Sequence, residues 1–132
     1  MPANNIDILS ELIGIQEMFI AGEAATVIFD HVLEVLLKAT ESAYGFVGSI
    51  LQADDGRPYL KTHAITNISW DDESEKFYSE NAPQGLEFRN LESLFGYTIK
   101  TGEMVLTNAP SDDPRSCGIP KEHPPLSAYL GC

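Results

Sequence analysis

Apolar positions in the first third of the chain recur at helical spacing. Leu9, Leu12, Ile13 and Ile20 share one face, with Gln16 interrupting the stripe and Gly14 in its middle. The spacing predicts a helix over 6–21, broken by Gly22. A fuller stripe follows: Ala25, Ile28, Phe29, Val32, Leu36 and Ala39, widened by Leu33 and Leu37. It predicts a helix over 23–41, with Glu23 near its positive end and Lys38 near its negative end, as the helix dipole favours. An apolar face this broad points to packing against a sheet.

The period then shortens. Ala43 to Gln52 and Tyr59 to Ile68 are two apolar, β-branched and aromatic runs separated by Asp54-Asp55-Gly56. Gly accepts the positive φ that a tight turn needs, so the pair predicts a β-hairpin. In the second run Lys61, Thr62 and Thr66 alternate loosely with Leu60, Ile65 and Ile68, as in a sheet with one face covered by helices. Ser69-x-x-Asp72 resembles a capping box opening a short helix over 71–81, with Phe77 and Tyr78 inward and Pro83 ending it. Asn90 is the expected N-cap of a helix over 91–100, striped by Leu91, Leu94, Phe95 and Ile99 and closed by Gly102. Met104 to Asn108 reads as a short strand and 109–125 as a Pro-rich loop, while Leu126 to Cys132 is short and ambiguous and could begin another strand.

The totals narrow the function classes. The 132 residues make one domain, and 43% apolar with 21% charged residues is ordinary globular composition. No apolar run reaches the length of a membrane span, and Met1 to Ser10 lacks the basic start of a signal peptide, so a cytoplasmic protein is expected. Twenty acidic against eight basic residues give a net charge of −12, which repels nucleic acid and anionic membrane surfaces. Cys117 and Cys132 are too few and too far apart for a zinc site. P-loop, dinucleotide-binding, zincin and EF-hand motifs are absent from the sequence.

Several phrases resemble a GAF domain, closest to those of bacterial multi-domain sensor histidine kinases and diguanylate cyclases. They are Ala64 to Trp70 (AITNISW), Phe88 to Gly96 (FRNLESLFG), Ile99 to Glu103 (IKTGE) and Asn108-Ala109-Pro110. The most specific is Asp113 to Leu126, which follows the pattern D-P-R-x-x-G-x-P-x-x-H-P-P-L of one subgroup. The resemblance covers residues 9–132. It implies an α+β fold, PAS-related, with an antiparallel sheet and helices packed on one face. A GAF domain continues past this loop through another hairpin and a closing helix. The resemblance therefore implies a single domain over 1–132 whose C-terminal strands and closing helix are missing, with 1–22 as an N-terminal helix for dimerisation.

The resemblance further implies a sensory or regulatory module of a signal-transduction protein, such as a two-component system. It would bind a small molecule or relay a signal through homodimerisation, with the output domain elsewhere. No self-sufficient enzyme is expected. The alternatives are a GAF-fold methionine sulfoxide reductase, which needs an attacking and a resolving thiol, and a dimerisation module without ligand. The ligand stays unnamed. Candidate ligand-pocket residues are Phe46, His63, Trp70, Phe95, Asn108 and Arg115, with no catalytic or metal-binding residue among them. His63 is the best placed of His31, His63 and His123 for a haem, although an ordinary satisfied histidine is the simpler reading. Cys117 precedes Gly118 and not the His of bilin-binding relatives, and with His123 it forms no evident catalytic pair. Asp112-Asp113-Pro114-Arg115 reads first as a loop lock and second as a clamp at a pocket mouth.

Overall fold

The computed structural model describes residues 7–66, 72–116 and 126–132. The elements in order are α1 (Ile8–Ile20), α2 (Ala25–Thr40), β1 (Phe46–Gln52), β2 (Pro58–Ile65), α3 (Asp72–Asn81), a 3-10 turn (Ala82–Gln84), β3 (Glu87–Phe88), α4 (Leu94–Thr101), β4 (Val105–Thr107) and β5 (Tyr129–Gly131). The α+β arrangement expected from the sequence is the one observed.

Helix α1 starts where the Asp7 carboxylate accepts the Ser10 N–H. It lies against α2 on the side of the half-buried Glu11, Ile15 and Met18. The stripe read from the sequence, Leu9, Leu12, Ile13 and Ile20, faces the other way and is exposed. The apolar period located an apolar face, but not the one that packs on α2.

Helix α2 has two partners. Phe29, Leu33 and Leu37 recur every fourth residue and meet the sheet. The Phe29 ring stacks on His63, with centroids 4.4 Å apart, and Leu33 and Leu37 press on Gly45. On the other flank His31 Nε2 stands 3.4 Å from Glu11 of α1. Val35, one turn on from His31, is buried. The expected stripe is therefore rotated: Ala25 and Ala39 are exposed and Leu36 is 48% exposed. Apolar residues surround enough of this helix that spacing alone does not choose the buried line. Glu41 ends α2 with a left-handed φ of 52°.

Strands β1, β2 and β3 form an antiparallel sheet in that order. The expected hairpin runs from Phe46↔Ile65 to Gln52↔Pro58, with a bulge at Val47/Gly48. Its turn is closed by the Gly56 N–H on the Ala53 carbonyl and the Ala53 N–H on the Arg57 carbonyl, both 2.9 Å. Gly56 takes φ 82°, which costs a residue without Cβ little. The buried Thr62, 3% exposed, accepts the Leu86 N–H on its hydroxyl and donates its own N–H to the Leu86 carbonyl. This carries the chain into β3, a strand of two residues that the sequence pattern does not reveal.

Neighbouring residues along a strand point to opposite faces. Phe88 pairs with Leu60 and so shares its face, whereas Lys61 and His63 belong to the other. Helix α2 covers the His63 face. The Leu60 side carries the aromatic groups described below.

Two expectations are corrected here. Of the two aromatics of α3, Tyr78 turns inward, its hydroxyl donating to the Ile65 carbonyl at 2.8 Å, while Phe77 is 59% exposed. The proposed cap at Ser69 lies outside the described residues. In α4 the N-cap is Ser93, whose hydroxyl accepts the Gly96 N–H, and the helix begins at Leu94. Asn90 instead bends the preceding turn by accepting the Glu92 N–H. Gly102 ends α4 in the left-handed conformation, as expected. The predicted strand 104–108 is β4, and it pairs antiparallel with β5, which settles the C-terminal segment as a strand. Val105 of β4 is fully buried.

Candidate functional site

Three rings from separate elements meet on the Leu60 side of the sheet: Phe46 of β1, Phe88 of β3 and Phe95 of α4. The Phe46 and Phe95 centroids are 5.7 Å apart in an edge-on contact, Phe88 and Phe95 are 5.7 Å apart, and Phe46 and Phe88 are 6.0 Å apart. These are favourable separations for aromatic pairs. All three rings are half-buried, so the cluster is not sealed into a core. Phe95 reaches it because α4 begins abruptly. Ser93 caps the helix, and Gly96 lies so close to the Leu91 carbonyl that a Cβ would overlap it.

One turn beyond Phe95 is Thr98. Its hydroxyl oxygen is buried without a hydrogen-bond partner among the described residues. Leaving a buried hydroxyl unmatched costs about 1–3 kcal/mol, so such an atom calls for a water or a ligand group.

The outer side of α4 is tied to the following loop. Arg115 grips Asp113 with two parallel hydrogen bonds, Nε to Oδ1 at 2.8 Å and Nη2 to Oδ2 at 2.7 Å. Its backbone N–H adds a third to Oδ1 at 2.9 Å. The hydrogen bonds from Arg115 hold the Asp113 carboxyl well below the usual carboxylate range. Asp113 in turn raises the Arg115 guanidinium. The guanidinium carbon lies 5.7 Å from the centre of the Tyr97 ring. The Tyr97 hydroxyl donates to Glu103 at 3.0 Å, and this bond raises its pKa.

Of the sequence candidates, Phe46 and Phe95 are brought together. Arg115 stands on the loop behind α4, where its contacts are those of a lock. His63 is apart from the cluster: its ring stacks on Phe29, and Nε2 shares a 2.6 Å hydrogen bond with Ser49 Oγ. Both contacts tie it to neighbouring elements of the fold. Asn108 is exposed at the end of β4. Trp70, Cys117 and His123 lie outside the described residues. Phe88 and Tyr97 had no mark beyond being aromatic, and Thr98 had none.

The profile of the GAF domain family matches residues 23–132. The chain belongs to the GAF domain family. GAF domains are sensory and regulatory modules in general, and this one presents its aromatic cluster beside α4. The match begins between α1 and α2, leaving α1 before it. No curated protein and no solved structure matches the chain. Among the described residues no helix is long and apolar enough to cross a membrane, and no group of three or more His, Cys, Asp or Glu could hold a metal ion.

Proposed function

We propose that this GAF domain is the sensory part of a cytoplasmic signalling protein, taking a small molecule against Phe46, Phe88 and Phe95. The supporting observation is the half-buried three-ring cluster with the unmatched Thr98 hydroxyl one turn away. Its chemistry favours a ligand with a flat apolar body and one hydrogen-bonding group, since the clustered rings supply apolar area and a single buried hydroxyl supplies direction. The domain itself performs no turnover. A homodimer passes the state of the site to an output domain, a histidine kinase or cyclase of the kind suggested by the sequence resemblance.

The test is an absorption spectrum followed by native and denaturing mass spectrometry of the purified chain. The expected result is an added mass that disappears on denaturation, with its occupancy reduced in Phe95→Ala. A bare chain mass, together with no thermal shift from flat aromatic compounds, would overturn the reading. A visible band would identify the ligand as a coloured cofactor.

A further inference from the structure

The tip of the β1–β2 hairpin and the end of β3 enclose a cleft on the face of the sheet opposite the three rings. Tyr59 precedes Leu60 on β2 and so points away from the aromatic cluster. Continuing the register Leu60↔Phe88 by one residue sets Arg89 against Tyr59. The Arg89 guanidinium carbon lies 4.2 Å from the centre of the Tyr59 ring. Gln52, Asp54, Asp55, Tyr59 and Arg89 line a cleft of about 450 Å³, within the roughly 300–1,000 Å³ of small-molecule sites.

The two ends of this cleft carry opposite charge. At one end Arg89 is held in place: its Nη2 donates to Glu87 at 3.2 Å, and the Tyr59 ring backs the guanidinium. Its other N–H groups meet no acceptor among the described residues. A guanidinium fixed in this way, with N–H groups to spare, is a fork for a carboxylate. At the other end the turn 53–57 presents two carboxylates. Asp55 is engaged, accepting the Arg57 N–H at 3.0 Å and standing 3.5 Å from Arg57 Nε. Asp54 beside it makes no hydrogen bond or ion pair among the described residues.

We propose that this cleft binds a free α-amino acid, its carboxylate on Arg89 and its ammonium on Asp54. A ligand carrying both signs close together answers both ends at once. A phosphate would meet Arg89 but also the carboxylates of Asp54, Asp55 and Glu87, and a metal cation would meet the guanidinium. A zwitterion can turn each of its charges to the opposite one. The site is separate from the three-ring cluster, because β3 stands between them, with Phe88 in the cluster and Arg89 in the cleft.

The test is titration of the isotope-labelled full chain with L-alanine, L-serine, L-leucine and L-glutamine, followed by the NMR signals of backbone amides and of arginine Nε–H. The expected result is saturable movement of the signals of 52–59 and of Arg89 with at least one of them. Binding should weaken about tenfold or more in Asp54→Asn and in Arg89→Gln, as for loss of a charge-assisted hydrogen bond. The methyl ester and the N-acetyl derivative of the same amino acid should each bind about tenfold more weakly, which removes one charge at a time without altering the chain. No saturable shift from any of these amino acids would overturn the proposal, as would a shift that maps to Phe46 and Phe95 instead. Equal binding of the N-acetyl derivative, or tighter binding of inorganic phosphate at the same residues, would overturn it in favour of a plain anion site. The signals report on the hairpin tip directly, so failure of the three-ring reading is scored separately.

Discussion

Helices α1 and α2 are neighbours of 13 and 16 residues, both striped with Leu, Ile and Phe. Helix α2 buries Leu33 and Val35 between the sheet and α1, whereas α1 buries no residue. In both, periodicity specified an apolar face. Only topology decided whether anything within the chain would lie on it. A stripe is a statement about what a helix can bury, and the rest of the fold supplies the occupant.

The contrast can be broken most severely at Leu33, which is 7% exposed. Leu33→Ala should cost about 2–5 kcal/mol, the usual range for emptying a packed leucine site, read as a lower urea midpoint. Next comes Gly96, where α4 approaches the Leu91 carbonyl too closely for any side chain. Gly96→Ala should cost about 1–3 kcal/mol by forcing the backbone apart, and it should pull Phe95 away from Phe46 and Phe88, read as weaker ligand retention. A smaller effect belongs to the region held by charge. The Asp113 carboxyl is depressed below its ordinary 3.8 by Arg115, so its contribution is fully present above that pH and is lost as pH falls below it toward the folded value. Hydrogen exchange in 113–116 should quicken in that acid range before β1 and β2 are affected, and in Arg115→Ala it should be fast at every pH. The smallest effect is expected at Leu12. Leu12→Ala should leave monomer stability within about 0.5 kcal/mol, measured at a dilution where no dimer persists. A cost near that of Leu33→Ala would mean that α1 is covered within its own chain and would erase the contrast.

The sequence was most legible where local chemistry decides structure. Asp54-Asp55-Gly56 marked the hairpin because only a residue free to take positive φ closes that turn, and Gly102 marked the end of α4 for the same reason. It was least legible where several residues could serve. Asn90 and Ser93 are both good caps, and Asn90 is occupied in a turn of its own. Strand β3 is two residues long, too short to show alternation, and exists because Thr62 holds Leu86. In the candidate site, Phe46 and Phe95 were recognisable as aromatics, but their meeting depends on where α4 starts. His63 was legible as a histidine on a strand. Which face it occupies depends on the register with β1 and β3, a tertiary fact.

The pairing order also acts as a timetable. Helix α2, β1 and β2 follow one another directly, and the longest ladder among the described residues closes on the short turn 53–57. Local closure of this kind is fast because little chain entropy is lost before contacts form. The β4–β5 ladder must instead join Thr107 to Tyr129 across the whole Pro-rich loop. During synthesis the helix–hairpin unit can therefore assemble before β5 emerges, leaving the β4–β5 ladder beside α4 to close late.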